Sequence, residues 1–211
     1  DPRDGFFQGN RFIHPGMAFE VVFPNGWDTK NLKQSVQGLS PGQDVAFVVT
    51  LTEGTSPSSA LTAFTSKEGV QAFGTSRDPI NGVPAATAEF TVESDGSTLQ
   101  GQVAFLDHRG ALFQIIGFGT AAGWDQNGAA VNLAIRSFRP VTDPELLNVQ
   151  PARIRLLVAP RAMSLEEILR QEGALSEMEQ IRRLNRLDGN PMLAEGKVLK
   201  IPSGARIPGG E

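Results

Sequence analysis

The sequence contains no cysteine. That removes disulfides, thiolate metal sites and cysteine nucleophiles, without excluding an oxidising compartment. Histidine is nearly as scarce, with 2 in 211 residues. No HExxH occurs, and neither histidine has another near it in sequence, whereas a zinc site takes three or four His, Cys or carboxylate ligands. No apolar run approaches the roughly 18 residues of a membrane span, and no signal peptide is visible. Charge of one sign is not in large excess either. A net charge of −4 argues against a nucleic-acid binder.

What is present is an ordinary globular composition, 40% hydrophobic and 20% charged, in a chain long enough to bury a core. The charge is unevenly placed. Residues 1–150 carry a balance of −6 and residues 151–211 a balance of +2. The change of sign predicts two domains, 1–150 and 151–202, followed by a flexible tail at 203–211. The abrupt opening DPRDGFFQGNRF reads as a boundary cut out of something longer.

In chain order, residues 5–16 read as irregular, with Gly and Pro breaking any period. Met17, Phe19, Val21 and Phe23 alternate with Glu20, which predicts a half-buried strand with Glu20 on its solvent face. Pro24-Asn25-Gly26 is a turn signal. Strands are expected at 32–39 and 44–52, the second covered on both faces because VAFVVTL is continuously apolar. Ser56-Pro57 marks a helix start, with Leu61 and Phe64 at helical spacing. A meander of three hairpins follows to Phe118, turning at Asn81-Gly82, Ser94-Asp95-Gly96-Ser97 and His108-Arg109-Gly110. Trp124, Val131, Ile135 and Phe138 form an amphipathic stripe that packs on the sheet, with Gly128 weakening the helix and Arg139-Pro140 ending it. The first domain therefore reads as α+β, an antiparallel sheet of about six strands with packed helices.

The last part reads as a small βααβ unit. Residues 154–158 form a strand. Ser164 with Glu167, and Ser176 with Glu179, read as capping boxes. Leu165, Ile168 and Leu169 face a core from one helix, and Met178, Ile181, Leu184 and Leu187 from the next. Asn185 and Asp188-Gly189-Asn190-Pro191 end the second helix. Gly196 introduces a closing strand at 198–201, and Pro202 stops it.

This βααβ unit resembles a LysM domain. Ser164 to Ile168 occupy the first-helix slot and Ile181 to Asn185 the second. The closing pattern L-x-x-G-x-x-L-x-I-P runs from Leu193 through Gly196, Leu199 and Ile201 to Pro202. The turn before the first helix departs from the family's Gly-Asp-Thr type, being Arg161-Ala162-Met163-Ser164, and the unit has no aromatic residue. The first domain resembles PsbP-like sandwiches in F-x-V-x-F-P-x-G-W (Phe19 to Trp27), its long meander and Ile135 to Pro140. Together the two resemble the C-terminal accessory region of bacterial gluzincin-type HExxH zinc metalloproteases, where an HPG-x-x-F opening (His14 to Phe19) follows the catalytic part.

That resemblance implies a non-catalytic accessory region of an exported, periplasmic or cell-envelope protease. It would position substrate, or dock to the catalytic domain, to another envelope protein or to the cell wall. Zinc is expected only in the absent catalytic domain, and this stretch itself is expected to hold no cofactor and no catalytic residue. The alternative is a free-standing envelope protein that binds peptidoglycan or another glycan. The groove residues implied for glycan or partner are Arg161, Met163, Ser164, Arg182, Asn185, Arg186 and Asn190. His14 and Trp27 are candidates for an interdomain contact.

Other chemistry is sparse. His108 lies in a hairpin turn beside Asp107. Asp107 with Glu89 or Glu93 lacks a companion nucleophile and reads as solvated strand ends. Gly117, Gly119 and Gly123 lack the lysine and the spacing of a phosphate loop and are expected to serve the turn into the helix. Arg182, Arg183 and Arg186, with Arg161 and Lys197, form a basic cluster, either a solvated helix face or a contact for an acidic partner.

Overall fold

A computed structural model describes residues 1–94, 96–151 and 153–204. The chain is α+β, with antiparallel sheets and packed helices, and divides into two compact units, Asp1–Asn148 and a second beginning at Val149.

The first unit contains eleven strands among its described residues: β1 (Phe6–Gln8), β2 (Arg11–His14), β3 (Phe19–Val22), β4 (Asp28–Asn31), β5 (Ser35–Leu39), β6 (Val45–Leu51), β7 (Val70–Ser76), β8 (Ala85–Ser94), β9 (Ser97–His108), β10 (Ala111–Thr120) and β11 (Arg139–Pro140). Its helices are α1 (Pro57–Thr65), α2 (Ala121–Arg136) and the single turn α3 (Pro144–Leu147). Two sheets form, β1-β2-β3-β11 and β4-β5-β6-β10-β9-β8-β7. The four-stranded sheet corrects the single sheet expected. Residues 5–16 are not irregular, because Gly9 at φ 60° turns β1 into β2 through Gly9-Asn10, a short hairpin signal. The Asn10 carboxamide then donates to Phe23 O at 2.6 Å and fixes the next strand.

The seven-stranded sheet is covered on both faces, but by different material. Ala104, Leu106, Phe113 and Ile115 pack with Phe12, Phe19, Phe23, Trp27, Val131, Ile135 and Phe138. Val103 and Phe105 point the other way, onto Leu61 and Phe64 of α1. The strand buried on both faces is therefore β9, not β6. Along β6 only Val45, Phe47 and Val49 are buried, and Leu51 is exposed. Alternation puts one set of residues on each face, and α1 lies over β8 and β9 rather than β6.

Helix boundaries follow the sequence closely. The Ser56 side chain accepts from Ser59 N, and Pro57 opens α1. Thr120 caps α2, its hydroxyl accepting from Gly123 N at 3.1 Å. Gly128 leaves room for the Trp124 ring, which a Cβ there would crowd to 3.0 Å. The segment after α2 stitches the two sheets. The Ser137 hydroxyl accepts from Val22 N at 2.7 Å, Phe138 stacks on Phe19 at 5.2 Å between centroids, and Arg139 pairs with Glu20.

The second unit contains β12 (Arg153–Val158), β13 (Met163–Ser164), α4 (Leu165–Gln171), α5 (Met178–Asn185), β14 (Met192–Leu193) and β15 (Val198–Ser203). β12 pairs with β15, and β13 with β14. Leu165, Ile168, Leu169, Ile181, Leu193, Leu199 and Ile201 form its core, with Met178 and Leu187 packed against it and Leu184 half-buried. Ser164 caps α4. Ser176 does not cap α5, because a 3-10 turn at Leu175–Glu177 already contains it. Pro202 does not stop β15. It pairs with Ile154, and the strand runs to Ser203. A proline is tolerated there because the sheet has only two strands. The rest of the expected tail, 205–211, lies outside the described residues, as do Asp95 of the expected turn and Ala152.

Candidate functional site

The residues that could carry chemistry in the first unit are engaged in holding it together. His108 is 8% exposed and lies against the Phe113 and Phe138 rings, its Nε2 donating to Ala18 O at 3.0 Å. It satisfies a buried carbonyl that would otherwise cost free energy. His14 is half-buried and stacks on Phe19, and its Nδ1 accepts from Met17 N at 3.2 Å. Burial pushes its pKa below the ordinary histidine value, partly opposed by the Asp4 carboxylate. Trp27 is buried in the core of the first unit, beside the close approach at Gly38.

Glu20 is the polar residue whose burial the periodicity did not reveal. It is 2% exposed and lies between Arg11 and Arg139, which pair with its two carboxylate oxygens. The alternating pattern put it on the outer face correctly, but that face is roofed by two arginine side chains from neighbouring strands, whose stems cover it. The glycines at 117, 119 and 123 are packing positions. A Cβ at Gly117 would run into Val131, and one at Gly119 or Gly123 into Asp44. Among the described residues no three His, Cys, Asp or Glu side chains gather as a metal site.

In the second unit the seven groove candidates fall into two groups. Around the start of α4, the Ser164 hydroxyl accepts from Glu167 N at 3.1 Å, and Glu167 pairs with Arg161. Asn190 Oδ1 accepts from Glu166 N at 2.8 Å. Two free N–H groups of the first turn are satisfied in this way. Met163 is 1% exposed and belongs to the core.

At the end of α5, Arg186 adopts the left-handed conformation, φ 53°, that closes the helix. Asn185 donates to Ile181 O and Lys200 O, both at 2.8 Å, and accepts from Lys200 N at 2.7 Å. Its carboxamide is thus spent on the edge of β15. Arg182, Arg183 and Arg186 line an open depression of about 450 Å³ with Glu179, Leu187, Asp188 and Gly189. Arg183 pairs with Glu179 at 3.1 Å. Arg182 reaches Gly189 O at 3.4 Å, and its buried Nε has no partner among the described residues. Arginines there also suit the negative end of the helix dipole.

Sequence reasoning missed the outer side of β12. Ile154, Leu156 and Val158 are 57%, 66% and 52% exposed, and Val198, opposite Val158, is 49% exposed. Ile154, Leu156, Leu157 and Val158 make the strand mostly aliphatic, which predicts burial, and the structure leaves one side open because β12 has only one partner strand among the described residues.

No helix among the described residues is long and apolar enough to cross a membrane. No family model matches the chain, and no curated protein matches it. Similar solved structures include cyanobacterial PsbP (CyanoP) from Synechocystis, at 16% identity and TM-score 0.48 over 64% of this chain and 94% of that one. LpqN, involved in cell envelope biogenesis of Mycobacterium tuberculosis, matches at 15% identity and TM-score 0.46 over 58% of this chain and 83% of that one. The Ran-binding protein Mog1p of Saccharomyces cerevisiae matches at 13% identity and TM-score 0.45 over 64% and 96%. These are likenesses of backbone path, shared by proteins of different roles.

Proposed function

We propose that this chain is a non-catalytic accessory region of an exported, envelope-associated zinc protease, serving as a scaffold that holds a partner or a substrate. The observation that carries the reading is the use of the polar groups best able to do chemistry. His108, His14 and Glu20 are committed to backbone atoms or arginines inside the fold. General acid–base work needs a group within reach of a substrate proton, and these face their own fold instead. The second unit, by contrast, leaves exposed arginines and aliphatic residues available for contact. The motifs at Phe19 to Trp27, Ile135 to Pro140 and Leu193 to Pro202 supply the family resemblance.

The glycan-binding alternative has less support. A sugar site needs free carboxamides and hydroxyls beside an apolar face, and those of Asn185, Asn190 and Ser164 already serve backbone groups. Two experiments separate the readings. The open reading frame upstream of Asp1 encodes an HExxH domain if the accessory reading is correct, and a frame starting near Asp1 without one overturns it. Co-sedimentation of the chain with purified peptidoglycan at low salt would instead support the alternative.

A further inference from the structure

The outer edge of β12 is left open in a way that specifies what can close it. Lys200 of β15 gives both its N–H and its C=O to the Asn185 carboxamide, so its backbone points away from β12. Lys200 stands opposite Leu156. The two form a non-hydrogen-bonded pair, and Leu156 must likewise turn its N–H and C=O outward. By the period of two, Ile154 and Val158 do the same. The phase agrees at the strand end, where Ala159 points inward, donating to Lys197 O and accepting from Gly196 N, both at 2.9 Å. Among the described residues no strand pairs with the outer side of β12.

Three successive donor–acceptor pairs therefore line a free edge, and they belong to the three exposed aliphatic residues Ile154, Leu156 and Val158. Exposed edges usually carry charge, proline or a bulge to prevent further pairing. Here the charge is of one sign. β12 contributes Arg153 and Arg155 on the face opposite the aliphatic residues, Lys200 of β15 lies beside Leu156 on the aliphatic face, and neither strand has a carboxylate. Arg155 is answered by Glu172.

We propose that this edge is a strand-addition site for an extended segment of a partner protein that alternates aliphatic and acidic residues. The segment's main chain takes up the N–H and C=O groups of Ile154, Leu156 and Val158. Its aliphatic side chains lie beside those three residues, and its carboxylates beside Arg153 and Arg155 on the other face. A second copy of this chain fits less well, because its β12 brings two more arginines and no acid. A lipid surface fits less well because it leaves the backbone groups without partners. The inference goes beyond the accessory reading and does not depend on a protease.

The test uses the whole chain, ¹⁵N-labelled, and a synthetic peptide of alternating glutamate and valine. Binding should slow hydrogen exchange at the amides of Ile154, Leu156 and Val158 by about tenfold or more. The same peptide N-methylated at alternate amides should not bind. Leu156→Pro removes one outward N–H that the β12–β15 ladder does not use, and should abolish binding with shifts elsewhere unchanged. If that variant does not fold, Leu156→Glu, which sets a charge among the peptide's valines, replaces it. Equal binding by the methylated peptide or by the folded variant overturns the proposal. So does protection of these amides in the free chain by a second copy, or their protection by anionic vesicles in place of the peptide.

Discussion

The sheets of the first unit and the β12–β15 sheet of the second treat their edges in opposite ways. In the first unit, β4 is short and polar, with Asp28 and Lys30 on it. The register of β7 against β8 shifts between Phe73 and Ser76, with Gly74 at φ 56°. β1 has three residues, and β11 is an arginine and a proline. Each is a known way to stop a sheet from growing. In the second unit, β15 is closed by Asn185, while β12 is regular, aliphatic and open. The larger unit is built to end its sheets, and the smaller one is built to end only one side. That contrast directs attention to β12 rather than to the meander as the place for the proposed strand addition.

The largest effect expected is on the closed side of the comparison. Phe138 is fully buried between Phe19 and Phe113, so Phe138→Ala should cost about 3–5 kcal/mol in denaturant unfolding. Glu20→Gln weakens both arginine pairs and the hold of Arg139 on the β11 edge. A loss of about 1.5–3 kcal/mol is expected, the usual worth of hydrogen bonds to charged groups. Asn185→Ala removes the side chain that closes the outer edge of β15. It should cost roughly 1 kcal/mol and raise the exchange rate of the Lys200 amide while leaving that of Leu157 unchanged. Leu156→Lys, at an exposed position, should change stability by no more than about 0.5 kcal/mol, yet blunt the edge.

The smallest effect is a pH dependence from His14. Its folded pKa lies below the ordinary value, so the unfolded chain binds the proton first as pH falls. The stability tied to neutral His14 is complete above about pH 6.5 and declines as pH drops through and below that value. Thermal unfolding of the chain and of His14→Gln, compared at neutral and mildly acidic pH, should show a smaller acid loss in the variant. An equal loss in both would remove His14 from the account.

Local grammar was legible in the sequence, and long-range closure was not. Ser56-Pro57, Asn81-Gly82, the α2 stripe and the α4 face Leu165, Ile168 and Leu169 all state their conformations within a few residues. The β1–β2 hairpin escaped because strands of three and four residues show too little alternation to count. β11 has two residues and exists only through its pairing with Phe19 and Glu20. His108 read as a turn residue because its partner, Ala18, is 90 positions away. Ser176 carried the capping-box spacing but lay inside a turn that began one residue earlier. Of the candidate groove, the residue types were right for polar contact, but spacing could not reveal that Asn185, Asn190 and Ser164 would face their own backbone. The free edge of β12 was invisible for a related reason, since a strand's neighbours are a property of the sheet.

The most direct test of the contrast is residue-resolved amide hydrogen exchange on the unliganded chain. The account predicts alternation along β12, with Arg155 and Leu157 protected and Ile154, Leu156 and Val158 exchanging rapidly, while Lys200 on β15 stays protected by Asn185. Uniform protection across 154–158 would mean that the edge is already closed, and would contradict it.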